Sequence, residues 1–202
     1  VATLRAEGLL SSGRGRRSLV LSNTRTETFE EILSNTSWIY RMGKNPGQVV
    51  DHFGMTPADA DIAAKLGVAE GAEVLLVDRV RSADDDPLVS ETIYFHPDLA
   101  EGVQLVDTED QSIHRELVRG GVDFNNISRT FNIEKADKDL AAKLGIAEGD
   151  PVIVVEVKAL THNGSPMEYA VHRYRGDKVS FGLNNVRGHS SPLWFEIDTQ
   201  IH

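Results

Sequence analysis

Residues 61–77 read DIAAKLGVAEGAEVLLV, and residues 139–155 read DLAAKLGIAEGDPVIVV. The two stretches lie 78 residues apart. They share Leu66/Leu144, Gly67/Gly145, Ala69/Ala147, Glu70/Glu148, Gly71/Gly149 and Val74/Val152. Each copy reads as a short helix, a glycine C-cap, a tight Glu-Gly turn and a β-branched strand. Thr56 is the expected N-cap of the first helix, with Pro57 at its first position and Asp59 at its third, a capping-box spacing. Each strand runs into a polar turn, Asp84-Asp85-Asp86-Pro87 or Asn163-Gly164-Ser165-Pro166. Return strands follow at 88–95 and 167–174. Two hairpins fed by similar helices predict one domain with an internal pseudo-twofold repeat. Two copies are too few for a solenoid, which needs at least about three.

Outside the repeat the signals are shorter. Residues 112–118 predict a helix with Ile113 and Leu117 on one face, closing at Gly120-Gly121. Residues 22–35 are polar and read as a linker. Before them, apolar residues 9–10 and 19–21 flank Ser-Ser-Gly-Arg-Gly-Arg-Arg-Ser, which predicts a hairpin tipped by Arg14, Arg16 and Arg17. Residues 1–8 read as the last turns of a helix that opens in mid-pattern on Val1 with no cap, so a preceding segment is expected to have been removed. After Phe181 the pattern decays into a tail, with one strand candidate at 193–197.

Composition narrows the function classes. With 202 residues, 40% of them hydrophobic, the chain can build a core, and wholesale disorder is excluded. The absence of Cys excludes a disulfide scaffold, thiolate metal sites and Cys nucleophiles. No apolar run approaches the ~20 residues of a membrane helix, and no secretory signal is evident, so a soluble cytoplasmic protein is expected. Net charge is −10, yet residues 1–25 sum to +4. A basic tip on an acidic body suggests one small anion-facing surface or, equally, a solvated arm.

Enzyme signatures fail: there is no P-loop, no G-x-S-x-G and no H-E-x-x-H. The seven His are scattered, without metal-ligand spacing, so neither a metal nor a cofactor is expected. What remains are charges set within strands. Arg79 and Arg81 alternate with Val80 and face one side, with Glu91 on the return strand opposite. Glu168 and Tyr174 are six apart and share a face. Arg offers a planar fork to phosphate or carboxylate, and carboxylates accept from hydroxyls or amines. The alternative is a solvated face laced with cross-strand ion pairs. Ser112 and His114 open the middle helix, where Ser112 serves as a cap or its backbone N–H groups meet a phosphate.

These residues resemble a known family. Val1-Ala-Thr-Leu-Arg-Ala-Glu-Gly-Leu-Leu with its Gly-Arg-Gly hairpin resembles the end of the recognition helix and the wing of a GntR-type winged helix-turn-helix. Residues from about 36 to 181 resemble the UTRA effector-binding domain of the HutC subgroup. The supporting strings are A-A-K-L-G-V-A-E-G, Arg79-x-Arg81, Ser90-Glu91-Thr92-Ile93-Tyr94, Gly164-Ser-Pro-Met-Glu168-Tyr169 and Tyr174-Arg175-Gly176-Asp177. The resemblance implies a chorismate-lyase-like α/β (α+β) fold, an antiparallel sheet flanked by helices. It divides the chain into a winged-helix remnant (1–21), a linker (22–35), the effector domain (36–182) and a tail (183–202). It further implies a homodimeric bacterial transcription regulator, typically a repressor, switched by a small anionic metabolite such as a phosphorylated sugar or amino sugar. The implied ligand residues are Arg79, Arg81, Glu91, Glu168, Tyr174, Ser112, His114 and a Thr36-Ser37 loop. Two departures stand out: Gly15 is followed by Arg16-Arg17-Ser18, and the turn after R-x-R is Asp-Asp-Asp-Pro. With the helices that read base edges missing, operator DNA is a partner of the full-length protein only, and Arg14, Arg16 and Arg17 supply salt-sensitive phosphate contacts. The rival expectations are a chorismate-lyase-like enzyme and a ligand-free dimerisation or scaffold domain.

Overall fold

Ser34, Asp59, Ser112 and Asp137 each turn the chain from extended backbone into a helix, and these four caps punctuate the fold. A computed structural model describes residues 34–106, 112–183 and 193–197. The expected helix end, the wing hairpin with Arg14, Arg16 and Arg17, and nearly all of the linker lie outside the described residues. In chain order the elements are α1 (Asn35–Arg41), β1 (Pro46–Pro57), α2 (Ala60–Leu66), β2 (Glu73–Ala83), β3 (Asp86–Phe95), α3 (Pro97–Gln104) and α4 (Ile113–Arg119). Then come β4 (Phe124–Lys135), α5 (Lys138–Leu144), β5 (Pro151–Thr161), β6 (Pro166–Arg175), β7 (Val179–Leu183) and β8 (Leu193–Ile197). No helix among the described residues is long and apolar enough to cross a membrane.

The helix start in the first repeat differs from the expectation. Asp59, not Thr56, is the N-cap of α2; it accepts from the Ile62 N–H at 2.8 Å. Thr56 and Pro57 instead close β1, paired with Val74 and Glu73. The physical reason is that Asp59 satisfies the orphan amide one turn later, while Pro57 ends an edge strand whose ladder needs no donor there. Asp137 repeats the device on Leu140 at 2.8 Å. Both helices end on left-handed glycines, Gly67 at φ 69° and Gly145 at φ 65°.

Six strands form one sheet in the order β1-β2-β3-β6-β5-β4, with every neighbouring pair antiparallel. β7 and β8 make a separate ribbon. The expected hairpins are therefore β2-β3 and β5-β6, joined at the centre by β3 and β6. Asp84 and Asp85 both carry positive φ, the left-handed pair that a two-residue hairpin turn requires. The outer strands β1 and β4 extend the repeat beyond the expected helices and hairpins.

The sheet buries both faces. On one, α2 packs Ile62, Ala63 and Leu66 against Val74 and Tyr169. The pseudo-equivalent α5 packs Ala141 and Leu144 against Val80, Val152 and Val154. The other face carries the main core, where α1 (Trp38, Ile39), α3 (Leu99, Val103) and α4 (Ile113, Leu117) cover Leu75, Val77, Ile93 and Phe95. Burial at roughly 25 cal/mol per Å² of apolar surface is what holds such short helices, which are marginal alone.

Registers give the symmetry residue by residue. Arg79 pairs with Glu91 in the first hairpin, where the second pairs Val157 with Ala170. Arg81–Val89 corresponds to Ala159–Glu168, Val77–Ile93 to Val155–His172, and Leu75–Phe95 to Ile153–Tyr174. Each half thus keeps apolar residues where the other turns polar.

Candidate functional site

The polar departures from that symmetry converge on one patch of the main-core face. Arg79, Glu91 and His172 form a row across β2, β3 and β6. Arg81 lies two residues beyond Arg79, and Glu168 and Tyr174 flank His172 at even spacing, so all point the same way. All six are buried: Arg81 is 0% exposed, Glu168 1% and Glu91 2%. The solvated-face alternative is thereby replaced by an enclosed cluster.

Glu91 is the hub. Its Oε2 accepts from Arg79 Nε at 2.5 Å and lies 3.9 Å from Arg81 Nε. Its Oε1 accepts from Asn35 Nδ2 at 2.6 Å. Burial pushes the Glu91 carboxyl up, but Arg79, His172 and Arg81, with the Asn35 hydrogen bond, outweigh it and hold the group well below the usual carboxylate range. Asn35 Oδ1 in turn accepts from the Tyr174 hydroxyl at 2.8 Å. His172 Nδ1 sits 3.3 Å from that hydroxyl, and burial holds its imidazole below its ordinary pKa.

Arg81 is different. None of its three guanidinium nitrogens has a hydrogen-bond partner among the described residues. Burial, then the neighbouring Arg79 charge, brings its pKa down to about 10, so it remains a cation at neutral pH. Glu168 Oε1 and His172 Nε2 are also buried without hydrogen-bond partners among the described residues. The other Glu168 oxygen accepts from His114 Nε2 at 2.7 Å. A buried cation with unused donors, beside a carboxylate oxygen with unused lone pairs, has the chemistry to bind an anion that also bears hydroxyl or amino groups.

The remaining expected residues are placed as follows. Ser112 caps α4, accepting from the Arg115 N–H, and donates to Ser34 Oγ at 2.7 Å. His114 is buried between Phe95 and Phe124. Thr36 and Ser37 lie in the first turn of α1 rather than in a loop; Thr36 is buried and Ser37 half-buried. The α1 residues that reach the cluster are their neighbours Ser34 and Asn35. His172 and Asn35 were absent from the expected set. His172 had a signal, its even spacing between Glu168 and Tyr174, whereas Asn35 had none.

An apolar groove of about 780 Å³ lies elsewhere, between β4 and β7, lined by Phe131, Ile133, Ile153, Val179 and Phe181. Its lining carries no charged side chain, and its Phe181 packs edge-on against Tyr174 of the polar cluster at 5.1 Å between ring centroids. Among the described residues no group of three His, Asp or Glu is arranged to hold a metal ion.

Residues 41–180 match the UTRA domain family. The chain is 27% identical over 177 residues to the transcriptional repressor NagR of Bacillus subtilis, spanning 87% of this chain and 72% of that protein. It is 28% identical over 192 residues to the transcriptional regulator Rv0792c of Mycobacterium tuberculosis, spanning 93% and 70%. Among solved structures, the effector domain of PhnF from Mycobacterium smegmatis superposes with a TM-score of 0.64 at 24% identity, covering 69% of this chain and 86% of that one. That likeness bears out the expected antiparallel sheet flanked by helices.

Proposed function

The chain belongs to the UTRA family, and from that premise we propose that it is the effector-sensing part of a GntR/HutC-type repressor. The effector is a small anionic metabolite, a phosphorylated sugar or amino sugar. The observation that carries this reading is Arg81, a fully buried guanidinium whose donors have no hydrogen-bond partner among the described residues. A protein folded for stability alone gains little from such a group, because its one ion-pair contact among the described residues, Glu91 at 3.9 Å, leaves the guanidinium's hydrogen-bonding capacity desolvated and unused. Arg79 and Arg81 meet the anion, Glu91 and Glu168 accept from its hydroxyl or amino groups, and Tyr174, Ser112, His114, Thr36 and Ser37 complete the surroundings.

The mechanism is a population shift: effector binding favours one arrangement of the body, and the linker at 22–35 carries it to the winged-helix remnant at 1–21. There Arg14, Arg16 and Arg17 contact DNA phosphates, while base reading belongs to the full-length protein. Two copies associate as a homodimer, for which the edge strands β1 and β4 offer exposed apolar residues such as Val49 (66%) and Ile133 (77%).

The test is a thermal-shift screen with phosphosugars, amino-sugar phosphates, urocanate, histidine, phosphonates and chorismate, run beside Arg81→Ala. A ligand at 100 times its Kd adds about 2.7 kcal/mol, a shift of several degrees for a chain this size. The expected result is a shift by one anion class that Arg81→Ala abolishes. If no anion moves the melting point, or Arg81→Ala responds equally, the ligand-free scaffold takes the place of the sensor. Turnover of chorismate would restore the enzyme reading.

A further inference from the structure

We infer that Asn35 is a built-in occupant of the effector site: its carboxamide engages Glu91 and Tyr174 in the resting protein, and an effector competes with it and frees the start of α1. The inference rests on the reading of the cluster as an effector site and adds how that site is linked to the rest of the chain.

Four observations carry it. The first turn of a surface helix ordinarily turns its polar residues to water, yet Ser34, Asn35 and Thr36 are all buried. Capping does not explain Asn35, since Ser34 already accepts from the Ser37 N–H at 3.1 Å. The Asn35 carboxamide instead reaches across the fold. It donates to Glu91 Oε1 at 2.6 Å and accepts from the Tyr174 hydroxyl at 2.8 Å, partners 56 and 139 positions away. Those are the two contacts that a hydroxyl or amide of a small molecule would make there, so the side chain and a ligand need the same atoms. Finally, Arg81, Glu91, Glu168 and Tyr174 have almost no exposed surface, so a ligand reaches them only when a covering element moves. α1 packs over β1 and β2, is seven residues long, and starts where residues 1–33 join the body. Displacing Asn35 therefore acts on the point at which the linker leaves the domain.

The experiment compares the 202-residue chain with Asn35→Ala. Titration calorimetry uses glucosamine 6-phosphate and inorganic phosphate as probes, with Arg81→Ala as the reference for site occupancy. Hydrogen exchange follows the α1 amides without any probe. Removing the competitor is expected to tighten Arg81-dependent binding by roughly tenfold, since a hydrogen bond to a charged group no longer has to be broken. It is also expected to speed exchange at residues 37–41 while the strands stay protected. If a probe binds in an Arg81-dependent way but Asn35→Ala binds it equally or more weakly, the inference fails and the effector site stands. If exchange in α1 is unchanged, or the strands open along with it, Asn35 is a structural clip and the inference fails whether or not a probe binds. If neither probe shows Arg81-dependent binding, the effector reading fails and takes the inference with it.

Discussion

Arg79 and Glu91 form a buried ion pair at 2.5 Å at the register position where the second hairpin places Val157 against Ala170. The same sheet geometry therefore accepts either a charged or an apolar pair. Removing one buried charge strands the other, at a cost of about 3–5 kcal/mol, whereas replacing both is often close to neutral. Arg79→Val and Glu91→Ala are each expected to lower the urea midpoint strongly. The double variant, which copies the second hairpin at this pair, should recover part of the Glu91→Ala loss, the remainder being the Asn35 and Arg81 contacts that also end on Glu91. Equal additivity of the two single effects would show that the pair is not the unit of stability here.

Arg81 makes the opposite case, because it has no hydrogen-bond partner among the described residues to strand. Burial and the Arg79 charge bring its pKa down to about 10, which leaves it charged and desolvated at pH 7. Arg81→Met keeps much of the apolar stem and removes that charge. The variant is expected to be more stable than the parent by about 1–3 kcal/mol in chemical denaturation, while losing any response to anions. Destabilisation of the size typical for a core truncation would mean that the guanidinium is held by the fold rather than reserved for a ligand.

How much of this was legible in the chain depends on whether the signal is local. The 78-residue repeat fixed α2, α5 and the two hairpins, since capping and left-handed glycines are local chemistry. Period-two spacing placed Arg79 with Arg81 and Glu168 with Tyr174 on shared faces, and applied to every residue between 168 and 174 it also points to His172. β1 and β4 were not legible. They lie 78 residues apart, but Phe53/Phe131 is their only identity, and as edge strands they mix polar and apolar residues on both faces. Asn35 was not legible either. In a polar stretch it resembles a linker residue, and only a partner 56 positions away gives it a role.

The paired caps allow an internal control. Asp59→Ala and Asp137→Ala each remove one side-chain acceptor from an orphan helix amide at 2.8 Å. Each is expected to cost about 1 kcal/mol, and the two should add, because they sit on different helices in different halves. Thr56→Ala is expected to cost far less, since Thr56 lies in β1 and caps nothing. A larger loss from Thr56→Ala than from Asp59→Ala in urea denaturation would return the helix start to the earlier residue.

Acid should act on the fold through His172. Burial disfavours its charged form, so the folded pKa lies below the ordinary 6.5 despite the attraction of Glu91 and Glu168. As pH falls below 6.5 towards the lower folded pKa, the unfolded chain binds a proton that the native chain refuses, and stability declines by at most about 1.4 kcal/mol per pH unit from this group. Glu91 adds to the trend lower down: its carboxyl is held below the ordinary 4.5, so its contribution is present above that pH and is lost below it. His172→Ile copies Ile93, its counterpart in the first hairpin, and removes the proton site. Urea midpoints at pH 7.5 and 5.5 are compared between the two proteins. The parent is expected to lose more stability than His172→Ile over this interval. Equal losses would show that His172 is not the source of the acid sensitivity.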